Sequence, residues 1–471
     1  MFYNRDSIHS NLDLMYKGSV AYQFARFALN LQYKFIPQKV VHQAKRCLLD
    51  ALGCAIGAYD APGRISCENA IKELGGNEES TLFGSGLRTN AFNAALHNSF
   101  LVRYLDYNDL GGGGHNSDSI PSIIAVSERE NASGKDLITA LVISYELGAR
   151  FKESISKNGD SRVDKAWNSD SRAGIIMPPV IGKLMKLNEE QIANAIGICG
   201  THTFVMGIVD ADREELPMSK NFRFGFGACR SILSCLLAKW GVTGFIRIVE
   251  GDLGIQKGIF QGDMDLERLV DFSGWRILQV RFKCMPLNGT SLGHVSATLD
   301  IVKKHDLKPE DIESVLIRTT HRESVHTTTL EKKYPRNTET AGHSLFYANA
   351  IAIKERVFNS ESFRPDKFAD ETVLNLMEKI KVVHDPILPT YGPQAISEII
   401  TKDGRFFQKR VDNPHGLGKD PLSDDELANK FNEMAARYMS KEQIKKILDN
   451  VWNLENLKDV NKLVKLMVIN S

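Results

Sequence analysis

Apolar residues recur at three- and four-residue spacing up to about residue 270, the pattern of helices that bury one face. In the segment 37–59, the apolar face contains Val40, Val41, Ala44, Cys47, Leu48 and Ala51. Asn188 and Gln191 form a capping-box signal at another helix start. The spacing predicts helices over residues 16–31, 37–59, 91–105, 120–127, 134–155, 173–187, 189–200 and 225–240. Residues 80–86 indicate only a short extended segment and turn, so we expect this region to be all-α.

Alternation of apolar and polar residues, typical of half-buried strands, replaces the helical spacing after about residue 272. It predicts strands over residues 275–282, 314–320, 379–383 and 395–400, the last followed by the turn signal Lys402-Asp-Gly-Arg405. Helical spacing lies between them at residues 293–305 and 341–353. The pattern therefore predicts an α+β domain over residues 273–412.

Helical spacing returns at residues 423–438 and 441–449, where Ser423 and Glu426 form a further capping-box signal. We expect residues 413–471 to pack back on the first domain, residues 1–272. The predicted fold class is therefore mainly α. A large all-α domain is built from both chain ends, and a smaller α+β domain is inserted in it.

Composition narrows the classes of function. Of the 471 residues 42% are hydrophobic and 25% charged, with a net charge of +1, which is typical of a soluble globular protein and favours neither nucleic acid nor an anionic membrane as partner. The N-terminus lacks the apolar stretch of a signal peptide, so we expect a cytoplasmic protein. Seven cysteines are spread singly without a Cys-x-x-Cys pair, and nucleotide-loop, hydrolase-elbow and zinc-protease motifs are missing. These observations favour an acid–base site that needs no metal and no cofactor.

The stretch from Tyr104 to Asp118 is the most unusual part of the chain. Four consecutive glycines follow an apolar helical segment, and the carboxyl groups of Asp106, Asp109 and Asp118 flank this break with the imidazole of His115. Ionisable groups around a break of this kind indicate a ligand pocket, because glycine lets a ligand approach the main chain. A surface turn with ordinary turn-forming residues is an equally good interpretation of the local sequence.

Three other places could carry chemistry. Lys220 and Arg223 precede a glycine-bearing helix start, where cations can receive a carboxylate or phosphate, although a solvated charge pair also explains them. Lys283 stands between a predicted strand and a proline, as a common edge-strand lysine would. Tyr347 lies in an apolar helix and could offer its hydroxyl to a ligand or to the backbone.

Taken together, these segments resemble the MmgE/PrpD family, which includes 2-methylcitrate dehydratase, cis-aconitate decarboxylase and iminodisuccinate epimerase. The resemblance runs over most of the chain. It is carried by Ala44-Lys-Arg-Cys-Leu-Leu-Asp-Ala-Leu-Gly53, Leu105-Asp-Tyr-Asn-Asp109, His115-Asn-Ser-Asp118, Tyr145-Glu146, Lys220 before a glycine-rich helix, Phe282-Lys283-x-x-Pro286, His343-Ser344-x-x-Tyr347 and Pro421-Leu-Ser-x-x-Glu-Leu-x-x-Lys-Phe431.

The resemblance implies a homodimer, a lid formed by the inserted domain, and an enzyme without metal or cofactor that acts on small di- or tricarboxylic acids. By their places in the motifs, the residues that line the active site are His115, Asp106, Lys220, Lys283 and Tyr347. Contacts with the substrate are expected from Arg223, Asn288, Asp109 and Gly114. Lysines and arginine would hold carboxylates, and a histidine whose pKa lies near working pH would move a proton. These residues should converge on one cleft between the domains.

Departures from the family pattern affect the expected reaction. Leu110 replaces a threonine that many relatives carry, Asn288 replaces a common histidine, and the histidine usual before residue 173 is not evident. His294 or His202 could compensate. The resemblance favours a lyase most like 2-methylcitrate dehydratase. Decarboxylation of cis-aconitate, epimerisation of an imino diacid, and a degenerate relative that only binds a carboxylate remain alternatives.

Overall fold

The structure, a computed structural model, describes residues 12–111, 114–157, 160–161, 167–210 and 213–469. The fold is mainly α, as predicted, with few strands. The longer helices are Val20–Asn30, Gln38–Gly57, Pro62–Leu74, Ala91–Tyr104, Ile120–Arg129, Gly134–Ser154, Ala173–Leu184, Glu189–His202, Arg223–Lys239, Leu292–Lys304, Leu345–Glu355, Glu371–Lys379, Asp424–Ala435 and Lys441–Trp452. Shorter helices are Leu266–Leu269, His321–His326, Leu330–Lys333, Thr338–Ala341, Pro365–Phe368 and Asn461–Leu466. Both predicted capping boxes, Asn188 with Gln191 and Ser423 with Glu426, are present.

The first hydrophobic core joins both ends of the chain, because it contains residues between 20 and 282 and again between 422 and 467. Helix Gln38–Gly57 packs against helix Asp424–Ala435 from the C-terminal part. A Cβ atom added at Gly53 would lie 2.7 Å from Cε of Met434, so the two helices approach too closely for a larger residue there. The strands in this region are two short pairs, Ser80–Thr81 with Arg88–Thr89 and Ser156–Lys157 with Asp160–Ser161.

A four-stranded sheet supports the second core, whose residues lie mainly between 285 and 417. Its order is Ile380–His384, Ile312–Thr319, Ala395–Thr401 and Phe406–Val411; the first pair is parallel and the other two are antiparallel. Three predicted strands and the predicted turn at residues 402–405 are confirmed. Helices Leu292–Lys304 and Leu345–Glu355 pack against this sheet.

The predicted strand over residues 275–282 is wrong. A 3₁₀ turn occupies Arg276–Gln279, and Arg281 makes one isolated bridge to Leu110. The carboxylate of Glu146 accepts the backbone N–H groups of Arg276 at 3.1 Å and Ile277 at 2.9 Å. The alternating pattern gave a wrong strand prediction because the backbone N–H groups here bond to a buried side chain and not to a neighbouring strand.

The helices and the cysteines answer two questions, whether a helix could cross a membrane and whether disulfides form. Across the described ranges, no helix combines the length and apolar character that a membrane crossing requires. All seven cysteines are unpaired thiols, and all except Cys284 are buried.

Candidate active site

The carboxylate of Asp106 lies at the centre of the predicted site. It follows the end of helix Ala91–Tyr104, and its φ of +45° marks a sharp change of chain direction that L-residues rarely adopt. Burial would raise the pKa of Asp106, but Lys283, Arg103 and Lys220 outweigh burial and hold that pKa well below its usual range. Asp106 is therefore an ionised carboxylate in a buried setting.

Lys283 holds Asp106 in place. Its ammonium donates to the Asp106 carbonyl at 2.5 Å, to Oδ1 of Asp106 at 2.8 Å and to the Leu287 carbonyl at 2.9 Å. These three bonds use all three N–H groups of the lysine. In this structure Lys283 positions Asp106, and its expected contact with a substrate carboxylate stays a prediction.

His115 presents a basic nitrogen to Asp106. Its Nδ1 lies 2.7 Å from the Asp109 carbonyl, which can only accept, so Nδ1 carries the proton of the neutral ring. Nε2 is then the nitrogen with the lone pair, and it lies 3.7 Å from Oδ1 of Asp106. Burial, with the charges of Arg103 and Lys283, lowers the pKa of His115 well below its ordinary value. The imidazole is neutral at pH 7 and ready to accept a proton.

His343 is a site residue that the sequence interpretation missed. Its Nδ1 lies 2.8 Å from the Glu339 carbonyl, and its Nε2 lies 3.5 Å from Oδ2 of Asp106. Burial, with the charge of Lys220, lowers the pKa of His343 well below its usual range. Two neutral imidazoles with the same tautomer therefore approach the two oxygens of one carboxylate. The available signal was the motif His343-Ser344-x-x-Tyr347, from which only Tyr347 was selected.

The hydroxyl of Tyr347 bonds to the backbone of Ser362 in this structure, and its expected place in the active site stays a prediction. Its hydroxyl donates to the Ser362 carbonyl at 2.5 Å, and its ring stacks on Phe368. Burial raises the pKa of Tyr347 above its ordinary value, so its hydroxyl remains protonated near neutral pH. The residue is a buried tyrosine bonded to backbone, and His343 is the residue of this motif that reaches Asp106.

Lys220 is a buried cation near the same carboxylate. It lies in the 3₁₀ turn Met218–Phe222, immediately before helix Arg223–Lys239, and is 3% exposed. Burial lowers the pKa of Lys220 to about 8, with Asp106 opposing and Arg103 adding to this effect. Within the described ranges its ammonium makes no hydrogen bond, so its donors are available to a ligand.

Arg223, in contrast, is already paired. Its guanidinium donates to Asp170, to both carboxylate oxygens of Asp210 at 2.7 and 3.0 Å, and to Asn168 at 3.0 Å. Burial would lower the pKa of Arg223, but Asp170 and Asp210 raise it. These two aspartates neutralise the charge of Arg223, and its expected contact with substrate stays a prediction.

Asp109 also has an internal role and not the expected contact with substrate. Its carboxylate accepts the Ser117 hydroxyl at 2.5 Å and the Tyr145 hydroxyl at 2.6 Å, and burial raises its pKa to about 7. Its carbonyl fixes the His115 ring. Asp109 therefore positions the base.

The two described glycines of the break, Gly111 and Gly114, adopt conformations that glycine allows. Gly111 has a φ of +92° and Gly114 a φ of +101°, while residues 112–113 lie outside the described ranges. A Cβ atom at Gly114 would lie 3.5 Å from Nη2 of Arg172. The break therefore passes close to this buried guanidinium.

Asn288 and Leu110, the two departures, lie together. The backbone N–H of Asn288 donates to the Gly342 carbonyl at 2.9 Å, next to His343. Its half-buried side chain makes no hydrogen bond to any residue that the structure describes. Leu110 packs over the neighbouring Gly289, where an added Cβ atom would lie 2.4 Å from Cδ2 of the leucine. Leu110 therefore lies beside the residue that follows Asn288.

The two proposed substitutes for the missing histidines have other contacts. His294 is buried, with Nε2 lying 2.5 Å from the Thr319 hydroxyl, and burial lowers its pKa to about 4. His202 is exposed at a helix end, with Nδ1 lying 2.8 Å from the Ile198 carbonyl. His343 is the additional imidazole at Asp106.

Fold and site together define a mainly α protein with a buried acid–base centre at the junction of two hydrophobic cores. The chain belongs to the MmgE/PrpD family. The MmgE/PrpD N-terminal domain matches residues 22–267, and the MmgE/PrpD C-terminal domain matches residues 285–454.

Characterised relatives are similar over nearly their whole length. The cis-aconitate decarboxylase of Mus musculus is 25% identical over 470 residues, covering 95% of this chain and 93% of the relative. The cis-aconitate decarboxylase of Aspergillus terreus is 23% identical over 481 residues, covering 96% of each chain. The 2-methylcitrate dehydratase of Escherichia coli K12 is 25% identical over 484 residues, covering 93% of this chain and 95% of the relative. By their names, these relatives are lyases.

Proposed function

We propose that this protein is a lyase that acts on a small di- or tricarboxylic acid and is most like 2-methylcitrate dehydratase. The observation that carries the proposal is the geometry at Asp106: a neutral His115 with its basic nitrogen 3.7 Å from the carboxylate, beside the available cation of Lys220. The family and the names of its lyase members support the same reaction class.

In the proposed dehydration, Nε2 of His115 takes a proton from a carbon next to a substrate carboxylate. The C–H electron pair becomes the new double bond, and the C–O bond to the hydroxyl group breaks. Lys220, whose pKa is about 8, donates the proton that converts the departing hydroxide to water. The ionised Asp106 stabilises the imidazolium that forms on His115.

Decarboxylation is the second candidate reaction, because several similar relatives are cis-aconitate decarboxylases. The C–C bond to the carboxylate breaks, CO2 leaves, and the electron pair left on carbon takes up a proton from Lys220, whose pKa is about 8. Epimerisation of an imino diacid needs proton transfer on two faces, and His115 and His343 offer two basic nitrogens. The alternative, in which the protein binds a carboxylate without turnover, takes its support from the two departures from the family pattern, Leu110 and Asn288.

The test is incubation of the purified protein with 2-methylcitrate, cis-aconitate or iminodisuccinate, with products followed by NMR. We expect the olefinic signals of a dehydration product from 2-methylcitrate. Formation of itaconate from cis-aconitate would show that the reaction is decarboxylation and not dehydration. A change in the configuration of iminodisuccinate alone would support the epimerase. Stabilisation by these acids without any product would support the binding-only alternative.

We also propose that the protein is a homodimer, as the family resemblance implies. Helix Arg223–Lys239 and the residue after it expose Phe226, Leu233, Leu237 and Trp240 at helical spacing. Trp240 is 83% exposed. Exposed apolar side chains at this spacing favour an interface, and a second copy of the chain is the partner that the resemblance indicates.

A further inference from the structure

Arg103 is a buried arginine whose hydrogen-bonding capacity is largely unused. It lies in the last turn of helix Ala91–Tyr104 and is 3% exposed. Its Nε and Nη1 atoms are buried without a hydrogen-bond partner in the described part of the chain. Nη2 lies 3.6 Å from Oδ1 of Asp106 and Nη1 lies 4.0 Å from Oδ2 of Asp118, both too long for hydrogen bonds.

The carboxylates near Arg103 have other partners. Asp106 is bound by the ammonium of Lys283 at 2.8 Å, and Asp118 accepts a hydrogen bond from Asn108 at 2.8 Å. Three cations, Lys283, Arg103 and Lys220, all lower the pKa of the single carboxylate of Asp106. A buried guanidinium with free N–H groups is costly unless an anion binds it.

The neighbouring buried arginines show the contrast. Arg172 donates to Asp170 at 2.6 Å and to the Ser169 carbonyl at 3.1 Å. Arg223 is bound by Asp170 and Asp210. Arg103 is the one of these three for which the described residues provide no carboxylate at hydrogen-bond distance.

We infer that Arg103 is a receptor for a substrate carboxylate and that, together with Lys220, it selects acids with at least two carboxylates. The planar guanidinium can bind both oxygens of one carboxylate, while one N–H of the Lys220 ammonium binds a second carboxylate and another remains to protonate the departing hydroxide. A monocarboxylate would leave one of these buried cations without a partner. This inference deepens the proposed function and rests on its claim that small polycarboxylic acids are the ligands.

The experiment measures binding apart from turnover. Isothermal titration calorimetry is performed with tricarballylate, which has three carboxylates but no hydroxyl to lose, and with butyrate, which has one carboxylate. The proteins are the wild type, R103K, R103M and the control R64K, whose arginine is half-buried and paired with Glu68 at 2.7 Å on a different helix. Melting temperatures of all four establish that each is folded.

We expect tricarballylate to bind the wild type and R64K equally, about tenfold more weakly to R103K and about a hundredfold more weakly to R103M. Butyrate should bind all four weakly and alike. Binding of tricarballylate by R103K within twofold of the wild type, or failure of the wild type to prefer tricarballylate, would overturn the inference. Arg103-dependent binding without turnover of any acid would overturn the lyase proposal and leave the receptor standing.

Discussion

Nε2 of His343 lies 3.5 Å from Oδ2 of Asp106, and this contact joins the two halves of the molecule. Asp106 follows a helix of the first core, whereas His343 precedes helix Leu345–Glu355 of the second. His115 approaches the other oxygen of the same carboxylate from the glycine break. The carboxylate of Asp106 is therefore approached by two imidazoles, those of His115 and His343, which are more than 200 residues apart in the chain.

Replacing His115 with glutamine should abolish most activity, because the amide cannot take the proton. We expect a loss of about 10²- to 10⁴-fold in kcat, measured by NMR on the best substrate. Tricarballylate binding should change little, since Arg103 and Lys220 remain. H202Q, which alters an exposed histidine, is the control. Full activity of H115Q would exclude this residue as the base.

The two residues of the His343 motif should behave differently. H343Q should lower kcat because His343 approaches Asp106, whereas Y347F should retain kcat because its hydroxyl bonds to the Ser362 carbonyl. We expect Y347F to lose about 1 kcal/mol in the free energy of unfolding. Steady-state kinetics and urea denaturation separate the two effects. A large fall in kcat for Y347F would show that the hydroxyl of Tyr347 takes part in the reaction.

Activity should depend on pH through His115 and Lys220. The proposed base must be neutral, so kcat/KM should rise as pH increases through the lowered pKa of His115, which lies well below its usual range. The proposed acid must be protonated, so kcat/KM should fall as pH rises through about 8, the pKa of Lys220. A pH profile tests both limbs, and K220R should move the upper limb to higher pH. An unchanged upper limb in K220R would exclude Lys220 as the acid.

Lys430 should matter for stability, because it binds a buried carboxylate and the backbone of two segments next to Asp106. Its buried ammonium donates to Oδ1 of Asp50 at 2.7 Å, to the Tyr107 carbonyl at 2.7 Å and to the Lys283 carbonyl at 3.0 Å. K430M leaves Asp50 as an unpaired buried charge and should lower the free energy of unfolding by about 3–5 kcal/mol in urea denaturation. K446M, which removes an exposed lysine paired with Glu442, should have little effect. Similar losses for the two variants would contradict this account.

The proposed dimer can be tested on the exposed helix face. L233E places a charge in the apolar surface, since Leu233 is 50% exposed on helix Arg223–Lys239. We expect light scattering after size exclusion to give a dimer mass for the wild type and a monomer mass for L233E. L74E, which alters another exposed leucine, should remain dimeric. A monomer mass for the wild-type protein would contradict the proposed dimer.

The sequence by itself determined the parts of the molecule that depend on neighbouring residues. Most of the longer helices, the capping boxes of Asn188 and Ser423, and three of four predicted strands followed from spacing and local chemistry, whereas helices Pro62–Leu74 and Glu371–Lys379 were not predicted. These features are set by contacts within a few residues, so the linear pattern contains them. The glycine break with Asp106 and His115 was visible for the same reason.

The tertiary structure alone decided which of the charged and polar groups remain available. Lys283 and Arg223 were both expected to contact substrate, yet the first binds Asp106 and the second binds two aspartates. Arg103 and His343 received no role from the sequence, although both lie at Asp106. The hydrogen-bond partners of a buried group come from chain segments that meet only after folding. A local sequence pattern therefore does not show which donors remain without a partner.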